Sequence, residues 1–208
     1  MSQKGDNIVE DGIPAGTWNK YESKNPVQRY LVKNFLDTFR RAAAPLAKEC
    51  QSAIDVGCGE GVSTRLLKDV GFESIVGLDF SKQIIETAKS ENPDIEFKQV
   101  DIFDLDESHS VDFVSACEVF EHLEGPEKAL KKLAELCRVG GIVSVPNEPI
   151  FRMLNFAAFK YMRDFGNSPG HLNHWSSRGI VRFLSTYFEI EAVYRPLPWT
   201  IVVVRPKR

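Results

Sequence analysis

With 208 residues, the chain is long enough to bury a hydrophobic core as one domain and too short for two α/β domains joined by a linker. Its formal net charge of −3 gives no overall attraction for a polyanion, which disfavours nucleic acid as a partner. The four cysteines lie far apart and form no Cys-x-x-Cys pair, which argues against a disulfide framework and against a zinc knuckle.

Residues 1–17 are polar and show no hydrophobic periodicity, so we expect a flexible N-terminal arm there and a single domain over residues 18–208. The chain begins without an apolar leader, and no stretch approaches the roughly 20 apolar residues that cross a bilayer. The sequence therefore predicts a cytoplasmic protein without a membrane span.

A first helix is predicted from Pro26 to Arg41. Apolar residues recur there at three- and four-residue steps, and proline is well placed in a first helical turn. The pattern is that of an amphipathic helix.

Strand and helix patterns then alternate, which is typical of a parallel sheet with helices on both faces. The predicted strands are residues 53–57, 74–78, 95–100, 111–116, 141–145, 187–194 and 199–204, and the predicted helices between them are 61–70, 81–90, 126–138 and 176–186. We expect a Rossmann-like, doubly wound, seven-stranded and mostly parallel sheet with an antiparallel final pair. A ligand should bind beyond the carboxyl ends of the strands, where the strand order reverses.

An aromatic and methionine-containing stretch, Phe151 to Phe165, follows the fifth predicted strand. We interpret residues 148–176 as a lid inserted after that strand, over the ligand. A helix packed on the core explains the same pattern, because aromatic residues at helical spacing usually belong to a core.

The glycine-rich segment Ile54 to Gly61 ends the first predicted strand with Asp55 and then places Gly57, Gly59 and Gly61 at alternate positions. Glycine lets the backbone approach a ligand closely and adopts positive φ at little cost. A dinucleotide fingerprint, Gly-x-Gly-x-x-Gly, has its third glycine one position later. The spacing therefore favours S-adenosylmethionine over NAD, and a simple tight turn is the alternative explanation of the glycines.

Two further strands end in an aspartate, Asp79 and Asp101. A carboxylate at Asp79 can accept hydrogen bonds from both hydroxyls of a ribose. At the next strand, Asp101 can accept from an adenine amino group while the amide of Ile102 donates to the ring. Together, acidic residues at the ends of three strands at these intervals indicate a nucleoside-containing cofactor more specifically than any one of them does.

With these segments, the chain resembles the class I S-adenosylmethionine-dependent methyltransferases. The matching segments are residues 54–61, 77–81, 100–103, 112–122 and 138–141. The resemblance implies that Asp55 and the loop Gly57-Cys58-Gly59 with Gly61 hold the methionine part of the cofactor. It also implies a ribose ligand at Asp79, an adenine neighbour at Phe80, and recognition of the adenine edge by Asp101 and Ile102.

The leader Trp18 to Arg29 is similar to N-terminal segments in one branch of this family, where a helix covers the cofactor. Tyr21 and Asn25 are then candidate cofactor contacts. A helix cap and a hydrophobic staple explain the two residues equally well.

The fourth predicted strand runs out into Glu118, Glu121 and His122, which would share one face if the segment were helical. Methyl transfer to a hydroxyl needs a group that removes its proton, either a base or a metal ion. We therefore name Glu118, His122 and His171 as candidate catalytic residues, with Glu118 also near the cofactor. His109, in a polar loop, is expected to be inert.

Two mechanisms and one structural explanation remain open for these residues. Glu118, Glu121, His122 and His171 could bind a divalent cation, a pattern similar to plant small-RNA 2′-O-methyltransferases and some ubiquinone-pathway enzymes. Alternatively, His122 or His171 acts as a metal-free base. In the third explanation, the carboxylates merely favour a helix start and the histidines form hydrogen bonds within the lid.

The sequence thus predicts an S-adenosylmethionine-dependent enzyme that methylates a small-molecule acceptor, most plausibly at oxygen. An RNA end or a protein side chain is the alternative acceptor, and Lys160, Arg163, Arg178 and Arg182 would be its basic rim. A module that binds the cofactor without catalysis is a third possibility.

Overall fold

The computed structural model describes residues 9–10, 13–14, 24–157, 165, 167 and 170–207. In the region predicted as an arm, Val9–Glu10 and Ile13–Pro14 are short strands that pair antiparallel. None of the helices within the described ranges is long and apolar enough to cross a membrane.

A seven-stranded sheet forms the centre of the domain, as the sequence predicts. Its strands in chain order are β1 (Ser52–Val56), β2 (Ser74–Asp79), β3 (Glu96–Gln99), β4 (Val111–Cys117), β5 (Cys137–Pro146), β6 (Phe188–Tyr194) and β7 (Trp199–Pro206). The spatial order is β3-β2-β1-β4-β5-β7-β6. Only β7 runs antiparallel to its neighbours, which confirms the mostly parallel sheet with an antiparallel final pair.

Helices cover both faces of this sheet. They are α1 (Pro26–Leu46), α2 (Val62–Asp69), α3 (Lys82–Glu91), α4 (Pro126–Leu136), α5 (Ile150–Ala157) and α6 (Ser177–Leu184). One hydrophobic cluster includes side chains of α1, α2 and α3, and the other includes side chains of α4 and α6. The strand order reverses between β1 and β4, so their carboxyl ends define the expected binding edge.

The first helix is longer than predicted. It begins after Asn25, whose side chain accepts hydrogen bonds from the backbone N–H groups of Val27 and Gln28, and it continues to Leu46 instead of ending at Arg41. The additional turn contains consecutive alanines, which have the highest helix propensity.

The α4–β5 boundary also differs from the prediction. Helix α4 ends at Leu136 instead of residue 138, and β5 begins at Cys137 instead of residue 141. Gly140 and Gly141 allow this, because a Cβ on Gly140 would lie 2.9 Å from Leu46 Cδ2 and one on Gly141 2.6 Å from the Val114 carbonyl oxygen. These glycines therefore mark close packing of β5 inside the sheet rather than a turn.

Candidate active site

The loop after β1 turns sharply through three glycines in the left-handed region. Gly57, Gly59 and Gly61 have φ of 65°, 54° and 86°. A Cβ on Gly61 would lie 2.7 Å from the ring of Phe97. The loop therefore packs closely against Phe97. It needs glycine because of its positive φ angles and because a Cβ at Gly61 would collide with that ring.

Asp55 lies beneath this loop and has no exposed surface. Its Oδ2 accepts hydrogen bonds from the hydroxyls of Ser63 (2.6 Å) and Thr64 (2.7 Å) in the first turn of α2. Burial raises the pKa of this carboxyl, and the two hydroxyl donors act in the opposite direction. In the structure, Asp55 ties the loop to the helix that follows it.

Asp79 ends β2 directly beside the glycine loop. One carboxylate oxygen accepts from the Gly59 N–H at 3.1 Å and the other accepts from the Ser81 N–H at 3.0 Å. Asp79 thus fixes the glycine loop at the end of β2, where its carboxylate accepts hydrogen bonds.

The side chain of Cys58 in the glycine loop is buried and is not exposed to a ligand. Its N–H donates to the Leu78 carbonyl oxygen, and its thiol is buried. Burial raises the pKa of this thiol, followed by the negative charges of Asp55 and Asp79. The thiol therefore stays protonated under ordinary conditions.

The third acidic strand end lies on a turn. Asp101 is exposed and caps a short 3-10 helix, Ile102–Asp104, by accepting from the Phe103 N–H at 2.8 Å. The Ile102 side chain is buried, and the carbonyl of Phe80 accepts a hydrogen bond from the Gln99 amide.

The two candidates in the leader have different outcomes. Tyr21 lies outside the described residues. Asn25 is the N-cap of α1 and uses its side-chain oxygen for that purpose, which matches the helix-cap interpretation.

Glu118 follows β4 with an unusual backbone. Its φ is 60°, in the left-handed region, and its N–H donates to the Ser144 carbonyl oxygen on β5. Its Oε2 accepts a 2.7 Å hydrogen bond from the indole nitrogen of Trp199. Strained non-glycine residues of this kind concentrate at functional sites.

The helix that would give Glu118 a common face with Glu121 and His122 does not include Glu118. Only Phe120–His122 is helical, as one 3-10 turn, and Glu118 precedes it in a left-handed conformation. The backbone reversal at Glu118 turns its side chain toward Trp199 instead.

Glu121, His122 and His171 form a cluster. One ligand atom from each lies within 4.8 Å of the others, Glu121 is 1% exposed, and the two imidazole centroids are 5.0 Å apart. Three of the four residues named as candidate metal ligands thus come together, and Glu118 is not part of this group.

A loop within the segment predicted as the lid, residues 148–176, positions His171. The N–H groups of Leu172 and Asn173 both donate to the Glu121 carbonyl oxygen, and the Asn173 amide donates to the carbonyl oxygens of Phe120 and Leu123. The Nδ1–H of His122 donates to the Gly170 carbonyl oxygen at 2.9 Å. Since Nδ1 carries the proton, Nε2 of neutral His122 presents a lone pair, as metal-ligating histidines do.

The other two histidines lie apart from this cluster. His174 is exposed and its Nε2 contacts the Asn167 side-chain oxygen at 2.9 Å. His109 pairs with Asp106 at a short 3-10 helix.

Sequence reasoning missed one aromatic residue beside the site, Trp199, and named the other, Phe151, only as the start of the predicted lid. The ring centroid of Phe151 is 5.7 Å from that of His171, with the planes nearly parallel, and 6.4 Å from that of Trp199. Trp199 also contacts Phe35 of α1 at 5.1 Å. No motif marks these residues, because only the reversal of β7 brings Trp199 to the edge where the parallel strands end.

Comparison with known proteins places the central part of the chain in a family. Residues 54–145 match the family described as methyltransferase domain. The range runs from β1 to β5 and contains the glycine loop, Asp79 and the Glu118–His122 segment.

Two curated relatives are enzymes named for ubiquinone biosynthesis. The mitochondrial O-methyltransferase of Dictyostelium discoideum is 25% identical over 85% of this chain and 61% of its own length. The O-methyltransferase of Neisseria meningitidis is 32% identical over 43% of this chain and 41% of its own length. The chain therefore spans less than two thirds of either relative.

Solved structures share the architecture over most of the chain. Magnesium protoporphyrin IX methyltransferase from Synechocystis, crystallised with S-adenosylhomocysteine, has a TM-score of 0.68 at 18% identity and covers 91% of this chain and 92% of its own. The methyltransferase domain of a bacterial Hen1 protein has a TM-score of 0.63 at 25% identity, covering 84% and 99%. Residues 54–145 thus match a methyltransferase domain, and the chain has the fold of the class I S-adenosylmethionine-dependent methyltransferases.

Proposed function

We propose that the chain transfers a methyl group from S-adenosylmethionine to a hydroxyl oxygen of a small organic acceptor. The observation that carries this proposal is the cluster of Glu121, His122 and His171 at the carboxyl end of β4. Strand β4 pairs with β1, so the cluster lies one strand from the glycine loop. The names of the curated relatives, which are O-methyltransferases, agree with an oxygen acceptor.

The residues around the glycine loop suit the cofactor. Asp79 places a carboxylate beside the loop, and two ribose hydroxyls would donate to it. Asp101 engages one oxygen with its own backbone turn. Gly57, Gly59 and Gly61 carry no Cβ, so a ligand can approach the backbone closely at these positions. When bound, S-adenosylmethionine supplies a methyl group activated by an adjacent sulfonium.

The cluster would assist removal of the proton from the acceptor hydroxyl. A neutral hydroxyl attacks poorly, and it improves as a nucleophile when its proton is removed or its pKa is lowered. Glu121, His122 and His171 offer one carboxylate oxygen and two imidazole nitrogens, a donor set suited to a divalent transition metal. These three residues would hold the cation, whose chemistry is to lower the pKa of a coordinated hydroxyl.

A metal titration tests this arrangement independently of turnover. We expect Mn²⁺ or Zn²⁺ to bind the chelator-treated protein with one site per chain, and His171→Ala or Glu121→Gln to weaken the affinity at least about tenfold. His174→Ala is the matched control, because His174 lies outside the cluster. Equal affinity in the wild type and in both cluster variants contradicts the metal site.

Turnover is then measured with a radiolabelled methyl donor and a panel of catechols and phenols. We expect the loss of activity in His122→Ala to match the loss caused by chelator. Activity that resists chelator and still requires His122 would identify a metal-free base. Undiminished turnover in both His122→Ala and His171→Ala would exclude the proposed role of the cluster.

Methylation of an RNA end is a second candidate. Arg178 and Arg182 are exposed and four residues apart, so they lie on the same side of α6, while Lys160 and Arg163 lie outside the described residues. Turnover on an RNA oligonucleotide that falls steeply between low and high salt would favour this candidate. Turnover on a small acceptor that is insensitive to salt favours the first.

A further inference from the structure

The residue that ends helix α3, Asn92, is bonded to the glycine loop. Its side-chain Nδ2 donates to the Glu60 carbonyl oxygen at 3.2 Å, although 32 positions separate the two residues. A Cβ on Gly61 would lie 2.9 Å from the same nitrogen. Because Asn92 is only 7% exposed, the backbone of the loop is held by a buried side chain.

Every polar atom of the Asn92 amide has a partner. Its Nδ2 also donates to the Ala88 carbonyl oxygen at 3.2 Å, and its Oδ1 accepts from Arg65 Nε at 3.0 Å. Arginine can only donate and a carbonyl can only accept, so the amide fits in one orientation, with its oxygen toward Arg65. The bond to Glu60 is therefore set by the groups that surround it.

Arg65 is itself fixed at both ends. Its guanidinium forms a bidentate pair with Asp94, in which Nη1 donates to Oδ2 at 3.0 Å and Nη2 pairs with Oδ1. Its backbone N–H donates to the Gly61 carbonyl oxygen at 2.8 Å. Bidentate pairs of this kind have a defined geometry. The side chains of Asp94, Arg65 and Asn92 thus form a connected chain that ends on the loop.

Two different side chains therefore hold the glycine loop. Asp79 accepts from the Gly59 N–H and would itself contact the cofactor, whereas Asn92 holds the Glu60 carbonyl and is buried beside Gly61. Glycines allow many backbone conformations, so a loop rich in glycine loses entropy when a ligand orders it. A residue that fixes the loop beforehand lowers this cost of binding.

We propose that Asn92 is a positioning residue for cofactor binding, whose amide holds the Glu60–Gly61 peptide in the conformation that receives S-adenosylmethionine. This inference rests on the proposed function, because it takes the glycine loop as the cofactor site. The bond of Asn92 to Ala88 is that of a simple helix cap. A cap alone would contribute to stability and not to cofactor affinity, which gives the experiment its contrast.

The binding test uses Asn92→Asp, which keeps the size of the side chain and the acceptor for Arg65 but puts an oxygen opposite the Glu60 carbonyl. We expect S-adenosylmethionine to bind about tenfold more weakly by calorimetry. Arg65→Met, which leaves Asn92 in place without its orienting donor, should weaken binding about threefold. Gly71→Ala is the control for lost stability, because a Cβ there meets nothing within 4 Å, and it should bind as the wild type does.

Hydrogen exchange of the ligand-free protein tests the same role without the cofactor. The Gly61 N–H donates to the Cys58 carbonyl oxygen inside the loop. In Asn92→Asp this amide should exchange at least about tenfold faster relative to the amide of Val114 in β4, a ratio from which a change in global stability cancels. An unchanged ratio overturns the proposal.

The affinity measurements separate failure of this proposal from failure of the proposed function. Wild-type affinity in Asn92→Asp overturns the role of Asn92 and leaves the cofactor site standing. A wild type that does not bind S-adenosylmethionine overturns both. In turnover, Asn92→Asp should raise the KM for S-adenosylmethionine about tenfold and leave kcat within about twofold, and a loss confined to kcat overturns the positioning role.

Discussion

Trp199 and Glu118 are joined by a 2.7 Å hydrogen bond from the indole nitrogen to a carboxylate oxygen, although 81 positions separate them in the chain. Glu118 follows β4, and Trp199 begins β7. The bond therefore links two non-adjacent strands across the end of β5. It holds a carboxylate whose backbone lies in the left-handed region.

The first prediction concerns this bond. Trp199→Phe keeps an aromatic ring but removes the donor, so we expect kcat/KM for methyl transfer to fall about tenfold, or ~1.4 kcal/mol. Phe35→Leu is the control, because Phe35 packs on the same indole without bonding to Glu118. If both variants lose the same activity, packing of Trp199 and not its hydrogen bond is responsible.

The second prediction concerns the ribose ligand. Asp79→Asn leaves one acceptor oxygen where there were two, and the new amide group opposes the Gly59 or the Ser81 N–H. We expect the affinity for S-adenosylmethionine to fall at least about tenfold by calorimetry, a loss of ~1.4 kcal/mol or more. Asp69→Asn, on the exposed end of α2, should bind as the wild type does. Wild-type affinity in Asp79→Asn would remove Asp79 from the cofactor site.

The third prediction separates backbone strain from packing at glycine. A Cβ on Gly61 would meet Phe97 at 2.7 Å, whereas one on Gly71 would have no neighbour within 4 Å, and both residues have positive φ. Gly71→Ala should cost about 1–2 kcal/mol of unfolding free energy from conformation alone. Gly61→Ala should cost about 2–4 kcal/mol, because overpacking adds to the strain. Urea denaturation measures both values, and equal losses would contradict the tight packing of the loop.

The fourth prediction is a pH dependence at the opposite end of the sheet. Asp112 accepts hydrogen bonds from the N–H groups of Gln51 and Ser52 and from the Arg138 side chain. The Gln51 bond is the largest cause that lowers the pKa of Asp112 below its ordinary value of 3.8, and burial opposes it. A carboxyl with a lowered folded-state pKa stabilises the fold fully above its unfolded pKa, and this contribution is lost as the pH falls through the folded value.

Accordingly, Asp112→Asn should lower the free energy of unfolding by about 1–3 kcal/mol at neutral pH. The difference from wild type should narrow as the pH is lowered from 4 toward 2. Asp69→Asn, measured by the same denaturation experiment, should show no such narrowing. A difference that stays constant over this range would mean that the Asp112 charge contributes nothing.

The alternation of strands and helices was sufficient to predict the sheet, because burial on both faces imposes apolar runs that the sequence shows directly. The clearest error in the element boundaries lies at two glycines, a residue type that is usually found outside regular strands. The predicted fifth strand began at Gly141 and left Gly140 out, yet both glycines lie inside β5, where their lack of a Cβ admits Leu46 and the Val114 carbonyl. Such close contacts arise from distant parts of the chain and leave no local signal.

The candidate site was predicted only in part, because it too depends on contacts between distant parts of the chain. His122 and His171 were paired from residue type, and the structure brings them together through the hydrogen bonds of Leu172 and Asn173 to Glu121. Glu118 would share their face only in a helix, and the one helical turn of this segment starts two residues after it. Trp199 was not found, because its proximity to the site depends on strand direction and not on spacing.

The position of β7 also bears on how the molecule folds. Strand β7 follows β6 in the chain but lies between β5 and β6 in the sheet. Until β7 has been synthesised, β5 therefore has an unpaired edge, and this strand contains the apolar residues Ile142, Val143 and Val145. An apolar edge without its partner invites pairing with other chains. During synthesis, β5 therefore has an unpaired edge open to other chains until residues 199–206 have emerged.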